Sequence, residues 1–375
     1  MKILMLNYEF PPLGGGAANT IFYLLKGLSK DPTVEITLIT SSINEYKEEY
    51  FSKNIKIIYL NIYKKGKLQH QSLFNILVYS IKSYIKSRKL VRVENFDFTH
   101  AFFGIPCGYI AMKLKIPYIV SLMGSDIPFH NERFNLLDKL FFQKLSKKIW
   151  CNSKCVLANS LYAKNKSKES SPDQHIDVIY NGIDLAEFSP KANHLTGDSD
   201  INIIFVGRLT EIKGFIYLLN AFETLSKKYK NIKLQVVGDG NLKDVFVKQV
   251  DRCNLSEKVI FHGLVDHEEI ATYYQNSDIA VIPSLNESHP NVVQEAMACG
   301  LPVITTDTGA SEHIDGNGYI VDKKSSKDIA EKLELLITNK NLRKEMSIKS
   351  RSVAMNMSWN KTCLSYKNIY KKALE

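Results

Sequence analysis

Short apolar runs alternate with stretches of helical spacing along almost the whole chain. Lys2 to Leu6 is an apolar run that ends in polar Asn7, and Tyr8 to Ala18 follows with two prolines and three consecutive glycines. From Asn19 onward Ile21, Leu24, Leu25 and Leu28 repeat at helical intervals, so the first unit reads as strand, glycine-rich loop, helix. Val34 to Thr40 and Ile55 to Leu60 are the next strands. Ser72 to Val93 reads as a long helix, with Phe74, Leu77, Val78, Ile81 and Ile85 on one face and Lys82, Lys86, Arg88, Lys89 and Arg92 largely on others. That pattern predicts a helix packing its apolar face on the core under a basic exterior. Phe98 to Phe102, Tyr118 to Leu122 and Val156 to Asn159 close the first series of strands, and the turn at Ser170 to Asp173 marks a boundary. After a polar surface loop at Ala192 to Asp200 the pattern starts again, with apolar runs ending at Gly207, Gly240, Gly263, Pro283, Thr305 and Val321. Leu333 to Met346 and about Trp359 to Ala373 read as helices. Strands alternating with helices mean parallel sheets covered on both faces, and the restart means two Rossmann-like α/β domains, 1–170 and 176–356.

The densest chemistry lies in Glu287 to Val303, ESHPNVVQEAMACGLPV. A loop carries Glu287, Pro290 stands where a helix starts, and Glu295 follows eight residues after the first carboxylate. Gly300 stops the helix and Pro302 leads into the next strand. Backbone N–H groups between Ser288 and Val292 can hold an anion or sugar hydroxyls at the helix N-terminus. The two carboxylates can accept hydroxyl hydrogen bonds worth roughly 1.5–3 kcal/mol each; otherwise they are solvated helix-end charges. Upstream, a buried strand ends at Gly207, and Arg208 and Lys213 follow before a helix that starts near Phe215. An Arg there can fork onto phosphate oxygens and a Lys can add a point charge, or both serve as surface ion-pair partners. Gly15 and Gly16 let backbone approach a ligand, or simply make a tight turn. Their loop matches neither the dinucleotide fingerprint nor a phosphate loop.

The string from Glu287, continued by TTDTGASEHI, resembles the Glu, seven residues, Glu signature of retaining nucleotide-sugar glycosyltransferases, in particular glycosyltransferase family 4. The resemblance implies the GT-B arrangement: two facing Rossmann-like domains with an interdomain cleft, and a terminal helix, about 359–375, that packs back on the first. It gives Glu295 the ribose and Glu287 the donor sugar. Arg208, Lys213 and the backbone around Gly207, Ser288, His289, Pro290, Asn291 and Val292 take the sugar hydroxyls and diphosphate. Leu264 lies by the nucleotide base, and the loop of Gly15 and Gly16 lines the cleft. Met123-Gly124-Ser125-Asp126 resembles the family's His-Gly-x-Asp, with Met123 where the histidine stands, a departure that bears on the donor sugar. Asp126 is either a site residue or a cap for the following segment. The implied activity is retaining transfer from a nucleotide diphosphate sugar, UDP-sugar first and GDP-sugar next. The implied acceptor is a hydroxyl of a saccharide or lipid-linked saccharide, in surface polysaccharide or glycolipid synthesis. No cofactor beyond that co-substrate and no metal is expected. A nucleotide-sugar epimerase on a similar frame, or a donor-binding protein without turnover, are the alternatives.

Composition adds a direction. Apolar content of 45% and charged content of 23% are those of a globular protein. No apolar run approaches the roughly 18 residues of a membrane span, and the first residues read as a strand rather than a leader. Six scattered cysteines, with no paired spacing, read as reduced thiols. Residues 1–165 hold 23 Lys and Arg against 11 Asp and Glu, whereas residues 166–375 hold 26 against 28. The basic first half is either a solvated lysine-rich surface or the side that meets an anionic partner, such as an acidic membrane or a phosphate-bearing acceptor. Nucleic acid is not expected, because no binding motif accompanies the charge. The expected location is the cytoplasm, with peripheral contact at the inner face of the membrane. His130 is a lone histidine in a polar loop.

Overall fold

The computed structural model describes residues 1–66, 68, 71–129, 138–191, 200–309 and 311–375. The expected polar loop, apart from Asp200, lies outside them, as do His130 and Ala310. The chain forms two compact units, Met1–Gly182 with Trp359–Glu375, and Ile183–Ser358.

The first unit is built on β1 (Lys2–Leu6), β2 (Glu35–Ser42), β3 (Lys47–Ser52), β4 (Ile55–Asn61), β5 (Phe98–Phe102), β6 (Tyr118–Leu122), β7 (Cys155–Ala158) and β8 (Asp177–Val178). They lie in the order β3-β4-β2-β1-β5-β6-β7-β8. All neighbours pair parallel except β3, which runs antiparallel to β4 at the edge. Helices α1 (Gly16–Leu28), α2 (Leu73–Val93), α3 (Tyr109–Leu114), α4 (Gln143–Cys151) and α5 (Leu161–Ser170) connect the strands. Strands covered on both faces must be apolar throughout, and β1, β5 and β6 are buried almost end to end. The division between units falls at Gly182, beyond the turn at 170–176, because β8 still pairs with β7. A Cβ at Gly182 would come within 2.6 Å of the Trp359 backbone, so glycine is what lets the two crossing strands of chain touch.

The terminal helix, Trp359–Leu374, belongs to this unit. Trp359 stacks on Tyr23 of α1 at 5.5 Å, Lys367 pairs with Asp31, and the Tyr370 hydroxyl meets His100 of β5 at 2.8 Å.

Helix α2 departs from its pattern. Phe74, Leu77, Ile81 and Ile85 are exposed, while Asn75, Tyr79, Ser83, Ser87 and Leu90 face inward. Two of the inward polar groups, Asn75 and Tyr79, have local reasons. Asn75 closes a capping box with Ser72 and donates to the Ile62 carbonyl at 3.0 Å, and the Tyr79 hydroxyl donates to the Ile39 carbonyl at 3.1 Å. The expectation that α2 buries its apolar face is corrected accordingly.

The second unit carries β9 (Ile201–Val206), β10 (Ile232–Val237), β11 (Val259–Gly263), β12 (Ile279–Ile282), β13 (Val303–Thr306) and β14 (Gly318–Val321). Between and after them lie α6 (Phe215–Lys228), α7 (Lys243–Arg252), α8 (His267–Gln275), α9 (Asn291–Ala298), α10 (Ser326–Thr338) and α11 (Lys340–Ala354). All strands are parallel, in the order β11-β10-β9-β12-β13-β14. That is the doubly wound order with its direction reversing between β9 and β12, and the loops leaving the carboxyl ends of those two strands open a crevice where ligands bind. The stretch expected as one helix at 333–346 is two, broken at Asn339, whose side chain caps α11.

Candidate functional site

The loops after β9 and β12 carry most of the candidate residues, and glycine fixes how they meet. Gly214 has φ +65° and closes the turn that holds Lys213; a Cβ there would sit 2.0 Å from the Pro283 carbonyl oxygen. The amide of Leu285 donates to the Ile212 carbonyl at 2.8 Å, tying the two loops together. This brings Lys213 onto Glu287 as an ion pair with both side chains largely enclosed. On the other side, Gly309 after β13 donates its N–H to the Glu287 carbonyl at 3.1 Å, and a Cβ on it would overlap the Ser288 carbonyl oxygen. The Glu287–Ser288 backbone is therefore clamped between two turns.

Arg208 stands at the carboxyl end of β9, exposed and without a carboxylate partner among the described residues. Gly207 before it accepts close contact from the β10 loop, where Gly238, at φ +131°, would put a Cβ 2.0 Å from the Gly207 carbonyl oxygen. Helix α9 starts at Asn291, one residue later than the proline signal suggests, with Pro290 as its N-cap. Ser288, His289 and Pro290 are buried, and Asn291 and Val292 are half-buried at the helix mouth. Burial holds the His289 imidazole below its ordinary pKa, and its ring lies 5.9 Å from that of His313, which burial lowers to about 3. Both rings are neutral wall groups rather than charges at neutral pH.

Glu295 is buried on α9 and accepts a hydrogen bond from the Tyr274 hydroxyl at 3.0 Å. Tyr274, enclosed within α8, also reaches the Val292 carbonyl at 3.3 Å, and burial, with the Glu295 charge beside it, raises its pKa well above normal. It is a donor at any working pH. Sequence reasoning missed Tyr274, because an aromatic in a helix reads as core and nothing separates it from its neighbour Tyr273. It also gave Gly214 and Gly238 no role, since their close contacts are made by residues remote in sequence. Leu264 follows β11 and is exposed.

Gly15, Gly16 and Asp126 lie in the first unit. Gly15 caps α1 and Gly16 begins it, and a Cβ on Gly15 would meet nothing within 4 Å. Space alone therefore does not demand glycine at position 15. Asp126 is spent on the backbone: its carboxylate accepts the N–H of Gly104 at 2.6 Å and of Met123 at 2.9 Å. Burial raises its pKa while those amides oppose the shift. It acts as a cap joining the loops after β5 and β6. Among the described residues no three or more His, Cys, Asp or Glu side chains converge as metal ligands. No helix among them is long and apolar enough to cross a membrane.

Two families match, in tandem. Glycosyltransferase Family 4 covers residues 14–187, and Glycosyl transferases group 1 covers residues 189–353. An uncharacterized glycosyltransferase of Methanocaldococcus jannaschii is 28% identical over 99% of this chain and 98% of its own length. Among solved structures, sucrose-phosphate synthase from Thermosynechococcus elongatus superposes with a TM-score of 0.85 at 19% identity, over 99% of this chain and 98% of the other. HepE from Anabaena, in complex with UDP-glucose, does so with a TM-score of 0.74 at 17% identity, over 98% and 99%.

Proposed function

Because the chain belongs to the GT-B glycosyltransferases, with a family 4 domain ahead of a group 1 domain, we propose that it is a retaining enzyme that moves a sugar from a nucleotide diphosphate sugar to a hydroxyl of a saccharide or lipid-linked saccharide. UDP-sugar is the first choice of donor and GDP-sugar the second. The observation that carries the reading is the enclosed carboxylate of Glu295, held by the Tyr274 hydroxyl just over one turn into α9. A buried carboxylate is a receptor for paired hydroxyls such as those of a ribose, since hydrogen bonds to ionised acceptors are the strong ones. Arg208 and the amides at the start of α9 supply positive potential for a diphosphate at the same sheet end.

In the reaction so assigned, the bond from the anomeric carbon to the diphosphate oxygen breaks and the electron pair leaves with the phosphate. The acceptor oxygen bonds on the same face, and its proton passes to the departing phosphate. Cationic side chains and backbone dipoles carry the developing charge, so turnover is expected to persist in chelator. The site is assigned to a protein working in the cytoplasm beside the inner face of the membrane.

A thermal-shift series with UDP, GDP, ADP and their sugars tests the donor site. A ligand at 100 times its Kd adds about 2.7 kcal/mol of stability. One nucleotide should stabilise the wild type, with and without EDTA, and leave Glu295→Ala unmoved. Equal shifts in both proteins, or none in either, would overturn the assignment.

A further inference from the structure

We propose that the exposed face of α2 is a docking surface for an anionic lipid bilayer. Phe74 is 61% exposed, Leu77 58%, Ile81 55% and Ile85 63%, and they follow one another at helical intervals along a single stripe. Leu73 extends it at the start. Contiguous apolar exposure of this kind marks an interaction site rather than ordinary surface. The helix turns Ser83, Ser87 and Asn75 inward, so the stripe has not been left outside for want of apolar residues.

Charge selects the occupant. Lys82, Lys86, Arg88, Lys89 and Arg92 all belong to α2, and its 21 residues hold no carboxylate. Arg88 and Arg92 continue the line of the apolar stripe by further turns of helix. On its flank Lys82 lies 4.3 Å from the ring centre of Tyr63, and Lys86 lies 5.3 Å from that of Tyr46, two exposed amphipathic rings of the kind enriched at headgroup level. The acidic neighbour Glu48 is already matched by Lys56 and Lys86, both at 2.6 Å. An apolar stripe with cations beside it suits a helix lying in the plane of an anionic membrane. A second copy of the chain docked through this face would oppose cation to cation, which disfavours self-association.

Position ties the surface to the site. The apolar end of α2 follows β4 at the same sheet end as the glycine-rich loop, where the Gln71 amide donates to the Tyr8 carbonyl at 2.8 Å and the Gly14 N–H to the Leu68 carbonyl at 3.2 Å. A bilayer under Leu73 and Phe74 therefore lies beside Gly15 and Gly16. This deepens the reading of a lipid-linked acceptor and rests on it for purpose, while its evidence is the surface alone.

The test is co-sedimentation of the full chain with phosphatidylglycerol-rich vesicles and with pure phosphatidylcholine vesicles at low salt. Wild type should bind the anionic vesicles and be released by salt. Replacing Leu77 and Ile81 together by Ser should weaken binding roughly tenfold, and Arg88, Lys89 and Arg92 together by Gln on the order of a hundredfold. Both variants should keep the wild-type melting temperature and the wild-type response to nucleotide, which separates failure of this surface from failure of the donor site. Three results would overturn the proposal. They are no association with anionic vesicles, binding that survives loss of Leu77 and Ile81, and a concentration-dependent doubling of mass in light scattering that Leu77→Ser with Ile81→Ser abolishes.

Discussion

Arg208 and Lys213 are five residues apart and carry the same charge, yet the structure uses them differently. Arg208 is exposed and unmatched among the described residues, so its guanidinium is available to an incoming anion at no cost to the fold. Lys213 is already engaged with Glu287 in a largely enclosed pair. A phosphate that recruits Lys213 must either share it with Glu287 or break the pair, and breaking an enclosed pair strands the remaining charge. The two alanine variants should therefore separate. Arg208→Ala should lose about 10²–10³-fold in turnover, the size of one charged stabiliser at a reacting centre, with no change in melting temperature. Lys213→Ala should lose turnover and also roughly 1–3 kcal/mol of stability, because Glu287 is left without its partner. Adding Glu287→Ala to Lys213→Ala should restore the melting temperature and not the activity. Turnover near normal in Arg208→Ala, or unchanged stability in Lys213→Ala, would show that the distinction drawn from exposure and pairing is wrong.

Loops meet strands in this fold through glycines, and these fall into two kinds. Gly309 is required by the protein itself, since a Cβ would overlap the Ser288 carbonyl oxygen and its N–H holds Glu287 in place. Gly15 is not, since a Cβ would meet nothing within 4 Å. Gly309→Ala should destabilise the fold by roughly 1–3 kcal/mol, the usual cost of an overpacked position, and abolish the nucleotide-induced thermal shift. Gly15→Ala should leave the apo melting temperature unchanged and lower turnover, because only a ligand needs that space. If Gly15→Ala is fully active, the loop is a turn and nothing more. The same contrast explains what the sequence made legible. Buried parallel strands must be apolar along their length, so their existence was plain from β1, β5, β9 and β12, and the carboxylates and cations at their ends were found with them. Strand β3, KEEYFS, is a polar edge strand with no apolar run to reveal it. Helix α2 shows a different limit. Helical spacing tells which residues share a face, here Phe74, Leu77, Ile81 and Ile85, but not whether that face turns inward; the decision was made by Asn75 and Tyr79 finding backbone partners under the helix. Tyr274 was hidden for a related reason, since its partner Glu295 lies 21 residues away on another helix.

Across the whole molecule, acid acts first through enclosed histidines. His100 accepts or donates at both ring nitrogens, to the Tyr370 hydroxyl and the Ser121 hydroxyl at 2.8 Å each, among Phe102, Tyr366 and Tyr370, with no charged group against it among the described residues. Burial lowers its pKa to about 3, and that of His313 in the other unit to about 3 as well. An unfolded histidine takes its proton near pH 6.5. The folded pKa lies below the unfolded value, so the stability these residues contribute is fully present above about pH 6.5 and is lost as pH falls toward 3. Carboxylates follow later. Glu48, held down to about 2 by Lys56 and then by Lys86 and Tyr46, and Asp31, lowered by Lys367 and Thr33, stabilise above their unfolded pKa and give this up only below about 4.5. The melting temperature should accordingly be flat above about pH 7 and fall well before the carboxylates titrate. Growing net charge would also loosen a chain that is already +10 at pH 7, but salt screens that repulsion and does not alter the cost of charging a buried ring. His100→Gln with His313→Gln, compared with wild type in high salt between about pH 7.5 and about pH 5, isolates the histidine contribution. The double variant starts less stable and should lose less on acidification. Parallel losses in the two proteins would mean that the acid response comes from elsewhere in the chain.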